Sequence, residues 1–257
     1  MGKNFTKEQI ERLGATLLEI GSLLMSSGAN SMRIRVTLER IANAFGFHSE
    51  LLITHRALMV NLENTEQKHA FNMLKRTSPH GVNFKLVSGI SKMSWNIVGE
   101  KWSMDDIDRE LERLKGLPHY PRIIILLFVG LADLSFCRLF GGGIVEMLVA
   151  FVATFIGLYV RQEAMKLKYN PYLCIYVAAL VSSLISGLSV KFNIGTEPHY
   201  AFATSVLYLI PGVPLVNSFS DLIYGNIMNG IVRGVNGMMI AFAIALGLAS
   251  ALLIYQI

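Results

Sequence analysis

From Ile123 onward the chain carries few charges, and its apolar runs approach the ~20 residues that a helix needs to cross a bilayer. No other feature narrows the fold as far. Inside hydrocarbon every backbone N–H and C=O must find a partner within the protein, which leaves helices and closed barrels. Runs of helical length fall at 123–140, 144–160, 171–190, 200–215 and 235–255. The expected fold is therefore a polytopic α-helical membrane protein of about five transmembrane helices. An ordinary charged segment, residues 1–118, precedes the membrane domain at 119–257, and Leu117 to Arg122, with Pro118 and Pro121, is the hinge between them. Arg122, Arg161, Lys166, Lys168 and Arg233 flank one side of the spans, against mainly Arg138 and Lys191 on the other, and the basic side is the cytoplasmic one. The amino terminus, which lacks the apolar core of a signal peptide, is expected in the cytoplasm. An odd number of spans then puts the carboxy terminus on the periplasmic side of a bacterial inner membrane.

The fourth run is interrupted. Leu209-Ile210-Pro211-Gly212-Val213-Pro214 removes backbone donors about half a bilayer span after Tyr200. Irregular backbone at that depth is tolerated where it is buried in protein or lines a water-filled cavity, which makes Pro211, Gly212 and Pro214 candidates for a substrate path. The polar residues that follow are Asn217, Asp221 and Arg233. Arg233 can clamp a carboxylate through its planar fork, Asn217 can orient it, and Asp221 can take a coupling proton or pair with Arg233. A helix end at the membrane surface, with Ser218 or Ser220 as cap and Arg233 as a cytoplasmic flank, accounts for the same residues. Between the fourth and fifth runs, Phe219, Leu222, Ile223, Ile227 and Ile231 keep helical spacing and predict an amphipathic or re-entrant helix.

The first 118 residues read as an α+β domain. Thr6 and Gln9 form a capping box for a helix with Ile10, Leu13, Leu17 and Leu24 on one face, and Gly28 supplies its left-handed exit. A second helix starts at Asn30 or Ser31 and stops at Gly46. Three β-prone runs follow, at 50–54, 57–62 and 68–77, and Ser78 to Gly81 is a turn. Two further helices come next, the last capped by Ser103 with Asp106.

Several chemistries are excluded by what the chain contains. The net charge of +5 suggests a nucleic-acid partner, but no basic stripe interleaved with aromatics is present, so the excess belongs to the membrane flanks. His48, His55, His69 and His80 lack the spacing of a zinc motif, and Cys137 and Cys174 both sit inside apolar runs, so no metal or other cofactor is expected. No nucleophile motif is present, so the chain is not read as an enzyme. Asp133 lies near the centre of the first run, where a charge costs at least about 2.5 kcal/mol and normally faces protein or water. It is a candidate proton relay, or else a structural partner of Arg138 or of a backbone group. Gly141-Gly142-Gly143 makes a tight turn, and Glu146 after it reads as interfacial.

Ser27-Gly28-Ala29 with Arg33 and Leu38-Glu39-Arg40-Ile41-Ala42, then Leu139-Phe140-Gly141-Gly142, then Leu209-Ile210-Pro211-Gly212 through Asn217, Asp221, Gly225, Gly230 and Arg233 resemble the threonine/serine exporter (ThrE) family. The likeness covers nearly the whole chain, and its last block is the specific one. It implies the larger, YjjP-like subunit of a split two-component exporter, working with a small integral-membrane partner that supplies further spans, as a hetero- or homo-oligomer. The substrate class implied is a small carboxylate, threonine and serine or a dicarboxylate such as succinate. The alternative expectation is a membrane-tethered sensor or hydrolase that uses the amino-terminal domain.

Overall fold

The structure, a computed structural model, describes residues 5–63, 71–77, 81–118 and 120–256. The chain forms two compact units, one of Met1–Pro118 with Val213–Gly234 and one of His119–Gly212 with Val235–Ile257.

In the first unit, α1 (Lys7–Ser26) and α2 (Ser31–Ala44) make a helical hairpin. Thr6 and Gln9 form the expected capping box, and Gly28, at φ 88°, turns the chain between the helices. A Cβ there would sit strained, 3.0 Å from the Gly81 carbonyl oxygen. An antiparallel sheet follows in the order β1 (His48–Ile53), β2 (Ala57–Glu63), β3 (Phe71–Arg76). Its alternation is that of a half-buried sheet: Ser49, Leu51 and Ile53 with Leu58, Val60 and Leu62 turn toward the helices. β1 begins two residues earlier than the sequence pattern predicts, because Ser49 pairs with Leu62 and His48 with Glu63. The predicted third run begins at 68, and its first residues, like Ser78 to His80 of the turn, lie outside the described residues. α3 (Phe84–Glu100) and α4 (Met104–Lys115) complete the unit, α4 through a second capping box between Ser103 and Asp106. Ile10, Leu17, Ile34, Leu38, Leu58, Ile90 and Ile107 share one core.

The remaining part of this unit comes from far along the chain. Helix α9 (Gly212–Ile223) turns Ser218 and Asp221 inward and leaves Val216, Phe219 and Ile223 outward, at 66–79% exposure. Gly225, at φ 79°, separates it from α10 (Ile227–Tyr255).

The second unit holds α5 (Arg122–Leu139), α6 (Ile144–Lys166), α7 (Pro171–Lys191), the short α8 (His199–Thr204) and the later turns of α10. Small residues fill the buried sides of α6 and α7: Ala150, Ala153 and Gly157 on one, Ala178, Ala179, Ser182 and Ser186 on the other. They let helix backbones approach where lipid offers no hydrophobic drive to associate. Phe128, Leu148, Leu173, Met238, Phe242 and Leu253 point outward, as lipid-facing side chains do.

Among the described residues, α6, α7 and α10 are long and apolar enough to cross a membrane, and a fourth span exists if the broken helix counts as one. The protein is a polytopic α-helical membrane protein with an amino-terminal α+β domain. α5 carries three charges, Arg122, Asp133 and Arg138, in its 18 residues, and that charge count keeps it out of the group of α6, α7 and α10. Up to Pro211 the run predicted at 200–215 is helical at α8 and in a single tight turn at Leu207–Leu209, and its last residues, 212–215, belong to α9. The last helix begins at Ile227 rather than 235, because the segment read as a separate amphipathic helix divides between α9 and the start of α10.

Candidate functional site

The break has a simple local cause. Ile210, which precedes proline, is held extended at ψ 128°, and Pro211 offers no N–H. Pro214 falls in the first turn of α9, where a missing donor costs little. The polar side chains after the break converge within the first unit on the turn of the helical hairpin. Asn217 Nδ2 donates to the Gly28 carbonyl at 2.8 Å, and the Ser31 N–H donates to Asp221 Oδ1 at 2.9 Å. Asn30 Nδ2 donates to Ser220 Oγ at 3.0 Å. Asn229 Nδ2 reaches both Ser31 Oγ and the Ile53 carbonyl, at 3.1 and 2.8 Å. Arg233 donates from Nη2 to the Ala29 carbonyl at 3.2 Å, and its Nη1 lies 3.3 Å from Asp221 Oδ2. That last contact is a pairing of charges without hydrogen-bond geometry: neither atom has a hydrogen-bond partner among the described residues. Asp221 is wholly buried and Arg233 is 8% exposed. Asp221 and Arg233 thus pair as one of the sequence readings had it, and with Asn217 they bind hairpin backbone.

Asp133 belongs to a different cluster, in the second unit. It is 2% exposed, and its Oδ2 accepts from Thr154 Oγ1 at 2.8 Å while Oδ1 has no partner among the described residues. Arg138 is not its partner; that guanidinium donates to the Gly142 carbonyl. Thr154 Oγ1 also lies 3.3 Å from the Ser205 carbonyl, Ser205 Oγ lies 2.9 Å from Ser186 Oγ, and Ser182 Oγ lies 3.1 Å from Tyr208 Oη. Asp133 and Tyr208 both line an otherwise apolar groove of about 570 Å³ formed with Ile124, Phe128, Phe136 and Leu207. None of these hydroxyls was singled out from sequence. The signal was the Ser182, Ser186, Ser189 spacing, which stacks hydroxyls along one side of an apolar helix.

Glu146 reads from sequence as interfacial, and in the structure it is held inside the protein. It is 1% exposed, and its Oε1 accepts the N–H groups of Thr196 and Glu197 at 2.6 and 2.8 Å, closing the loop before α8. His48 is exposed, and His69 and His80 lie outside the described residues. No group of three or more His, Cys, Asp or Glu side chains that could hold a metal ion occurs among the described residues.

The family described as "Putative threonine/serine exporter" matches residues 15–255, which runs through both compact units. The chain is 29% identical over 233 residues to the "Probable succinate transporter subunit YjjP" of Klebsiella aerogenes, a match covering 89% of this chain and 88% of that protein. It is 27% identical over 252 residues to the protein of the same description in Escherichia coli K12, covering 96% of each. With the "Threonine/serine exporter" of Corynebacterium glutamicum the identity is 22% over 214 residues, 80% of this chain but 44% of that protein. No solved structure matches the chain. A polytopic helical protein that carries this likeness over residues 15–255 is a member of the threonine/serine exporter family.

Proposed function

We propose that the chain is one subunit of a secondary transporter that exports small carboxylates across the bacterial inner membrane, the candidates being threonine and serine or a dicarboxylate such as succinate. The observation that carries this is the pattern of coverage. The chain is nearly coextensive with the two described transporter subunits, yet matches under half of the longer exporter. A small integral-membrane partner then supplies the missing spans. In this reading α5, α6, α7, the broken helix and α10 are five spans, with the amino terminus cytoplasmic and the carboxy terminus periplasmic. The break at Pro211, Gly212 and Pro214 is one wall of the translocation path. Asn217, Asp221 and Arg233 hold that wall in shape, and Asp133, with one carboxylate oxygen unpartnered among the described residues, relays a coupling proton.

Proteoliposomes containing this chain with its partner, loaded with labelled serine, threonine or succinate, test the proposal. Export of at least one above empty liposomes is the expected result, and no flux of any small carboxylate would sink it.

A further inference from the structure

Two arginines of α2 share a cavity in the first unit. Arg33 and Arg40 line about 290 Å³ of space together with Thr37 of the same helix, Ser91 of α3 and Tyr224, which follows α9. Spacings of four and three residues put Arg33, Thr37 and Arg40 on one side of α2, over about 10 Å of its length. Arg40 is fixed in place. Its Nη1 donates to Ser94 Oγ at 2.8 Å, and its guanidinium carbon lies 3.7 Å from the centre of the Trp95 ring. Only one of its five N–H donors is spent in that bond. The Arg33 guanidinium is spent on nothing: it makes no hydrogen bond or ion pair among the described residues.

Thr37 carries the argument further. It is 2% exposed, and its hydroxyl makes no hydrogen bond among the described residues. A buried hydroxyl without a partner is costly, and this one borders the cavity. The hydroxyl of Ser91 is equally unengaged among the described residues. No carboxylate lines the cavity. Glu39, beside Arg40 in sequence, pairs instead with Arg35, at 3.8 Å. Two guanidiniums and two unspent hydroxyls with no acid among them call for an anion. Met32 and Val36 give the same cavity an apolar part. Separated cationic groups with apolar surface beside them suit a short carbon chain with a carboxylate at each end better than a compact anion such as phosphate, which has no apolar part.

We infer that this cavity binds a small dicarboxylate, with Arg33 and Arg40 each taking one carboxylate group and Thr37 and Ser91 donating to the anion through their hydroxyls. A guanidinium fork takes a carboxylate through paired charge-assisted hydrogen bonds. None of the residues that line the cavity belongs to the proposed translocation path, so the inference does not rest on the transport reading.

The test is calorimetric titration of the purified full chain in detergent with succinate, L-serine and inorganic phosphate as separate arms. Succinate is expected to bind saturably and more tightly than the other two. Arg33→Gln, at a side chain that holds nothing else among the described residues, is expected to raise the Kd for succinate about 10- to 100-fold, the loss of charge-assisted hydrogen bonds. Thr37→Val keeps the shape of the side chain and raises Kd by less, and Arg113→Gln, an equal loss of charge on α4, leaves it unchanged. Absence of saturable succinate binding overturns the inference, and phosphate or L-serine binding as tightly as succinate overturns the dicarboxylate class. Succinate binding that Arg33→Gln leaves unchanged belongs to another site and overturns this one without touching the transport reading. An equal loss in Arg113→Gln reduces the effect to net charge and overturns it too. Should Arg33→Gln fail to fold, an unchanged Kd in Thr37→Val decides against the site.

Discussion

Asp221 has no exposed surface and serves two groups at once, the Ser31 N–H and the Arg233 guanidinium. Removing one charge of such a pair leaves the other buried and unmatched, which costs about 3–5 kcal/mol. Asp221→Leu and Arg233→Met should each lower the melting temperature of the purified protein sharply, and the double variant should lose less than the sum. Additive losses would mean that the two side chains do not act as a pair. The pairing was open to reading from sequence, because both residues follow a helix break in an otherwise apolar region. What they pair against was not. Gly28, Ala29 and Ser31 lie about 190 to 204 positions away and contribute backbone atoms, which leave no mark in residue identity. Thr154 and Ser182 were hidden for a related reason: a hydroxyl in an apolar helix reads as a small packing residue until its neighbours are known.

The capping boxes of α1 and α4 and the break at Pro211 were legible at the level of the element, since each is set by residues within four positions of one another. The extent of the last helix was not, because Gly225 interrupts an apolar spacing that looks continuous. Asp106 gives one element a pH signature. Hydrogen bonds from Ser103, helped by Arg109, hold its carboxyl below the ordinary range. A depressed folded pKa contributes stability above the unfolded value, about 3.9, and that contribution is lost as pH falls through the lower folded value. Protection factors of the α4 amides, taken relative to the intrinsic exchange rate at each pH, should therefore fall as the pH drops below about 3.9, and Ser103→Ala should blunt the change. At the break, Pro211→Ala restores a backbone donor and a helical option to Ile210. Transport should fall several-fold with assembly intact; retained flux would make the kink incidental.

For the whole molecule, composition alone separated a charged amino-terminal region from an apolar remainder, yet the first compact unit also takes in Val213–Gly234. α9 escaped a composition-based boundary because its outward residues are apolar and only Ser218 and Asp221 turn inward. A fragment of residues 1–118 should accordingly melt below the same region in the full chain, and its Ser31 amide should exchange fast. Equal protection would show that the distant segment is dispensable. The same discontinuity has a consequence in time. The Ser31 amide and its Asp221 acceptor are 190 residues apart. At about 5–20 residues per second, a ribosome takes roughly 10–40 s to cover that interval. The hairpin turn must wait through that interval, hydrated and unlatched, while the spans between are threaded into the bilayer. Its last bonds are a report that those spans have been made.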